Sequence, residues 1–197
     1  FDVTGASDTF IALLSLSILN KENIKKSIML AILGATNVVQ KQFTSNVTKQ
    51  EYLKLKNFVK KKFKLGITNG CFDLLHKGHH FTLRQAKNSC SFLIVLLNSD
   101  SSVKRIKGKS RPFESQQIRK KKLLATRLVN KVIIFNETTP LKKIKQLKPD
   151  ILFKGLEYRN KKISGKIFIE SYGGKVKFLK RIKGISTTNK IKNADKN

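Results

Sequence analysis

An α/β fold, a doubly wound parallel five-stranded sheet preceded by a short helical segment, is what this sequence predicts. Two observations lead there. From residue 63 onward, short apolar runs rich in Ile, Val, Leu and Phe alternate with segments whose apolar residues recur at helical spacing, the pattern of βαβ units. The first of these runs leads into Thr68-Asn69-Gly70 and then a helical segment, the place where an open α/β sheet binds its ligand.

Helical spacing first shows at 8–19 (DTFIALLSLSIL) and about 24–41 (IKKSIMLAILGATNVVQK), with Asp8 and Asn23 placed as caps. Residues 1–50 are thus a helical segment, and the Lys-rich YLKLKNFVKKK within 51–62 reads as a linker helix. The main domain is expected over 63–192, with a tail at 193–197. Its strands are FKLGIT (63–68), FLIVLLN (92–98), KVIIF (131–135), DILFK (150–154) and KVKFL (175–179). Helices suit 78–89, 115–127, 140–147, about 163–171 and 186–192. Right-handed crossovers would put helices on both faces, a Rossmann-like arrangement with ligands beyond the carboxyl ends of the strands.

Composition narrows the function. Forty-two Lys and Arg against 12 Asp and Glu give a formal charge of +30 in 197 residues, yet only seven of the basic residues are Arg. A groove that reads bases leans on the guanidinium fork, so the lysine excess reads first as solvated faces. It still favours anionic substrates and salt-sensitive binding. Cys71 and Cys90 are too few for a disulfide framework and form no CxxC pair. The longest apolar run, residues 10–19, is too short to span a bilayer, so a cytoplasmic protein without membrane or nucleic-acid partners is expected. Beginning at Phe1 rather than Met, the chain is expected to be a fragment.

All three histidines fall in GCFDLLHKGHH, residues 70–80. A helix N-terminus offers unsatisfied N–H groups and the positive end of the macrodipole, which suits a phosphate. Gly70 would allow a tight turn, Gly78 a close backbone approach, and His76 and His79, three apart, would meet one phosphate group. Histidines without a role remain the alternative. Three His with only Asp73 nearby is too thin a set to assign a protein metal site.

The same run resembles the GxFDxxHxGH signature of the cytidylyltransferase-like nucleotidyltransferases. Further blocks resemble theirs in order: NSDSSVKRIKGKSRP (98–112), KPDILFKGLEY (148–158) and GISTTNKIK (184–192). The 98–112 and 148–158 blocks look most like the adenylyltransferase domain of the bifunctional heptose kinase/adenylyltransferases, which makes ADP-heptose for lipopolysaccharide. DVTGASDTF (2–10) resembles the GAxD segment of the ribokinase-like kinase that precedes that domain, Gly5 forming an anion hole and Asp8 the base. Residues 1–50 would be the remnant of such a kinase, without kinase activity, because so short a piece cannot supply two sites and a core. Its apolar faces would invite association, and a homo-oligomer is among the expected states.

The resemblance implies a nucleotidyltransferase that transfers AMP from ATP to D-glycero-β-D-manno-heptose 1-phosphate, with Mg²⁺ accompanying the ATP. His76, His79 and Arg181 would be catalytic. Thr68, Asn69, Gly70, Phe72, Asp73, Gly78, Lys154, Gly155, Ser186, Thr187 and Thr188 would hold nucleotide and phosphates, and Asp100, Arg105, Lys107 and Arg111 would contact substrate, although Asp73 reads equally as a capping or turn residue and Asp100 equally as a turn residue. Lys104, Arg105 and Lys107 are expected in a loop able to close, although in so lysine-rich a chain each reads first as a solvated charge. Three departures stand out: Lys77 for a usual Pro, Leu156-Glu157 for a usual Gly-Asp, and Ser7 for a common Gly. The second bears on substrate selectivity. A CTP-dependent enzyme of the glycerol-3-phosphate cytidylyltransferase type is the nearest alternative, and a non-catalytic basic nucleic-acid-binding module the alternative of another class.

Overall fold

A computed structural model describes residues 3–41 and 45–181. It divides into two compact units, Phe1–Phe63 and Lys64–Asn197.

The first unit contains α1 (Ala6–Leu19), α2 (Ile24–Val39) and α3 (Lys49–Lys62). Asn23 caps α2 as its position predicts, its side chain accepting the Lys25 N–H at 3.1 Å. Gly5, at φ +78°, occupies the N-cap of α1, and Asp8 lies in the first turn rather than at the cap. Helices α1 and α2 approach closely because Gly34 has no side chain: a Cβ there would run into Leu13. The helix expected as a linker runs Lys49–Lys62 and groups with this unit. Thr48 and Glu51 form its capping box, and Lys41 pairs with Glu51 at 2.8 Å. Ile11, Leu19 and Ile32 are each more than half exposed.

The second unit is the five-stranded parallel sheet: β1 (Leu65–Gly70), β2 (Phe92–Asn98), β3 (Lys131–Phe135), β4 (Ile151–Gly155) and β5 (Lys175–Leu179), in the order β3-β2-β1-β4-β5. Between them come α4 (Lys77–Lys87), α5 (Asp100–Lys107), α6 (Gln116–Ala125), α7 (Leu141–Leu147) and α8 (Lys166–Glu170). Burial on both faces explains why β2 reads as an unbroken apolar run. Leu93, Val95 and Leu97 pack with Leu83 and Ala86 of α4 and Leu123 of α6. Ile94 and Leu96 alternate to the opposite face, and Ile144 of α7 and Ile169 of α8 are fully buried. Each such side chain contributes ~1.5–3 kcal/mol.

Two expectations change. β1 extends through Thr68-Asn69-Gly70, which pair with Val95, Leu96 and Leu97, so Gly70 ends a strand rather than making a turn. The left-handed residues come just after it, Phe72 (φ +46°) and Leu74 (φ +56°). Residues 100–107, read as a loop, form α5. The Ser99 hydroxyl caps it by accepting the Ser102 N–H, Asp100 opens it, Lys104, Arg105 and Lys107 close it in accord with the dipole, and Val103 anchors it in the core. The helix expected at 186–192 lies outside the described residues. Strand order reverses direction from β1, so the crevice between the carboxyl ends of β1 and β4 is the switch point.

Candidate active site

A cleft of about 360 Å³ opens at that switch point. Its floor is the end of β1, Thr68, Asn69 and Gly70, with Lys154 and Gly155 of β4 beside them. The loop over residues 71–76 and the first turn of α4 supply Phe72, Asp73, His76, Gly78 and His79. Lys107 from the end of α5 and Arg181 beyond β5 complete the basic lining.

The two histidines form one unit. His76 is the extended N-cap residue of α4, and its backbone N–H donates to His79 Nδ1 at 3.4 Å. Their rings stack with centroids 3.8 Å apart and planes 19° apart, and Phe72 lies against His79 at 5.1 Å. An imidazole that accepts at Nδ1 carries its neutral-form proton on Nε2. Burial, then the nearby His76, Lys107 and Arg181, pushes the His79 pKa down to about 3. His79 is therefore a neutral N–H donor at pH 7.

Lys154 links the strand ends. Its Nζ donates to Asn69 Oδ1 at 2.6 Å and lies 5.3 Å from the centroid of the Tyr158 ring. Burial lowers its pKa to about 8, opposed by the Glu157 carboxylate, so it stays mostly charged at pH 7. Cys71 also lines the cleft, and burial raises its pKa, which keeps it a thiol.

Several residues expected at the substrate are held by partners within the protein. Asp73 borders the cleft, but its buried carboxylate accepts the Phe113 N–H at 3.0 Å and pairs with Arg111 Nε at 3.1 Å. Arg111 is thus spent on Asp73 rather than lining the cleft. Asp100 pairs with Arg119 at 2.6 Å and does not line it either. Arg105 donates to the Asn136 carbonyl, away from the cleft. In each case the side chain is held by a fixed partner within the protein. Ser186, Thr187 and Thr188 lie outside the described residues. Gly5 and Asp8 belong to the first unit.

Sequence reasoning overlooked Arg119. Fully buried, it donates to the carbonyls of Cys71 (2.5 Å) and Glu114 (2.9 Å) as well as to Asp100. Together with Asp73–Arg111, it ties the β1–α4 loop to the α5–α6 segment. Nothing local distinguishes it from the other basic residues of α6. Asn98, which lines the cleft at the end of β2 and donates to Ser102 Oγ at 3.0 Å, could have been found from the rule that ligands sit at carboxyl ends.

A cytidylyltransferase-like family model matches residues 67–193. The chain belongs to that family. Within this nucleotidyltransferase-type family, the chain resembles the bifunctional protein HldE of Paramagnetospirillum magneticum, 38% identical over 220 residues, covering 100% of this chain and 45% of that protein. The HldE of Campylobacter fetus is 41% identical over 208 residues, covering 97% of this chain and 44% of the relative. The chain therefore spans less than half the length of these curated relatives. Among solved structures, the lipopolysaccharide core biosynthesis protein from Thermoplasma volcanium matches with a TM-score of 0.50 and 27% identity, covering 62% of this chain and 98% of that one. Among the described residues no helix is long and apolar enough to cross a membrane.

Proposed function

We propose that this cytidylyltransferase-like domain transfers AMP from ATP to D-glycero-β-D-manno-heptose 1-phosphate, releasing pyrophosphate and forming ADP-heptose. The observation that carries the reading is the stacked His76–His79 pair at the N-terminus of α4, inside a cleft that Lys107, Lys154 and Arg181 also line. Similarity to the HldE proteins and to a lipopolysaccharide core biosynthesis protein supports the heptose ester as acceptor.

A phosphate oxygen of the sugar ester attacks the α-phosphorus of ATP, and the bond from that phosphorus to the β-phosphate bridging oxygen breaks as pyrophosphate departs. The attacking oxygen is already anionic at neutral pH, so the chain needs no general base. What it supplies is alignment and neutralisation of charge. His79 donates from Nε2 without carrying a formal charge before substrate binds, and the approach of phosphate raises its proton affinity. Lys154, Lys107 and Arg181 hold further phosphate oxygens. Mg²⁺ accompanying the triphosphate would help to neutralise the leaving pyrophosphate.

The test is pyrophosphate release with ATP or CTP, each with heptose 1-phosphate or glycerol 3-phosphate. Turnover with ATP and the heptose ester, falling on the order of 10²-fold in His76→Ala and His79→Ala, is expected. Turnover confined to CTP and glycerol 3-phosphate would replace the assignment. No turnover, together with duplex binding that weakens steeply with salt, would point to the nucleic-acid module instead.

A further inference from the structure

Glu157 lies on the short 3₁₀ turn Leu156–Tyr158 that follows β4 and lines the same cleft as the histidines. Its Oε1 is 3.1 Å from Arg181 Nη1, an Arg expected to hold phosphate. The carboxylate folds back over the end of β4: a Cβ on Gly155 would run into it, so the absence of a side chain at 155 makes the notch in which it sits. It is also close enough to Lys154 to oppose the loss of that ammonium's charge. The other acid of the cleft, Asp73, is committed to Arg111 and to the Phe113 N–H. One carboxylate thus engages two of the cations available for phosphate.

We propose that Glu157 is a built-in competitor for the phosphate position of this cleft, so that an incoming phosphate binds by displacing its carboxylate from Arg181. The inference rests on reading the cleft as a phosphate site, and it adds a residue that sets how tightly, and for which anions, that site binds. A carboxylate and a phosphate cannot both pair with one exposed guanidinium without repelling each other. Removing the carboxylate's charge therefore strengthens phosphate binding. A carboxylate that instead held a substrate hydroxyl would produce the opposite change when neutralised. Because Glu157 is exposed and Gln has the same shape, the substitution leaves the fold intact.

The experiment is calorimetric titration of the whole chain with metal-free pyrophosphate at low salt, comparing wild type, Glu157→Gln, Arg181→Gln and the double variant. An exposed ion pair shifts an equilibrium by at most about fivefold, so the Kd of Glu157→Gln is expected to fall about two- to fivefold. Most of that gain should vanish when Arg181 is already Gln. An unchanged or weaker Kd in Glu157→Gln overturns the proposal. So does a gain that survives in the Arg181→Gln background, since it would then come from the general field of a +30 chain. Tighter binding in Glu157→Gln from a wild type that catalyses no nucleotidyl transfer would sink the proposed function and leave this inference standing. Catalysis without tighter binding would do the reverse, and a wild type that binds no pyrophosphate would remove both.

Discussion

Replacing Asp100 by Asn separates two roles for a residue that reads in the sequence equally as a substrate contact or a turn residue. In the structure its Oδ1 is 2.6 Å from Arg119 Nη2, the Arg side chain is 0% exposed and the Asp side chain 35% exposed. Breaking a fully buried pair costs about 3–5 kcal/mol, because it strands a charge away from water. Here Asn keeps an acceptor at the same place, Arg119 retains the Cys71 and Glu114 carbonyls, and water screens the exposed side of residue 100. Those three facts bring the expected loss down to about 1–2 kcal/mol. Arg119→Met should cost more, about 3 kcal/mol, since two carbonyls lose their donor at once. The double variant should lose about 1 kcal/mol less than the sum, because the first change already removes the shared bond. Urea unfolding followed by far-UV circular dichroism measures this: with a slope of about 1–3 kcal/mol/M, Arg119→Met lowers the midpoint by roughly 1–3 M. If Asp100→Asn leaves the midpoint unchanged while raising the KM for either substrate, then Asp100 contacts substrate and the brace described here is wrong.

Three further outcomes follow from the site. The His79 pKa of about 3 lies below its unfolded value of 6.5, so between those limits the unfolded chain binds the extra proton. The stability contributed by this neutral ring is present above pH 6.5 and is lost as pH falls towards 3, by about 1.4 kcal/mol per unit within the window. His79→Asn should flatten that slope in acid denaturation curves. Phosphate near the ring favours its charged form, so ATP binding at pH 6 should take up protons; calorimetry in buffers of different ionisation heat would detect this, and equal heats would contradict the assigned protonation state. Lys154, lowered to about 8, loses its charge in the folded protein as pH rises through that value. The KM for nucleotide should therefore climb above pH 8, and Lys154→Arg, which stays charged, should delay the climb.

Much of the fold was legible because its signals are local. Five apolar runs of strand length between helical periodicities are each contained in a short window, and all five strands appear within two residues of the expected bounds. Helix α5 escaped notice because NSDSSVKRIK is rich in residues that favour loops and caps. Its Ser99 cap and the buried apolar anchor Val103 become decisive only once the core is assembled. The extension of β1 through Gly70 likewise depends on β2 lying alongside it.

For the site, order along the chain was enough to determine that His76, His79, Lys154 and Gly155 belong together, since each follows a strand at its carboxyl end and a doubly wound sheet gathers those ends at one crevice. Which charge meets which was decided only by the tertiary structure. Asp73, Asp100, Arg105 and Arg111 carry side chains equally suited to a ligand or to a brace, and the choice turns on partners far away in sequence, as Arg119 reaches the Cys71 carbonyl across 48 residues. Hydrogen bonds and ion pairs act over a few ångströms of space whatever the separation along the chain. Periodicity could therefore announce the crevice, but only the folded backbone could say that Arg111 and Arg119 support its wall while Glu157 stands inside it.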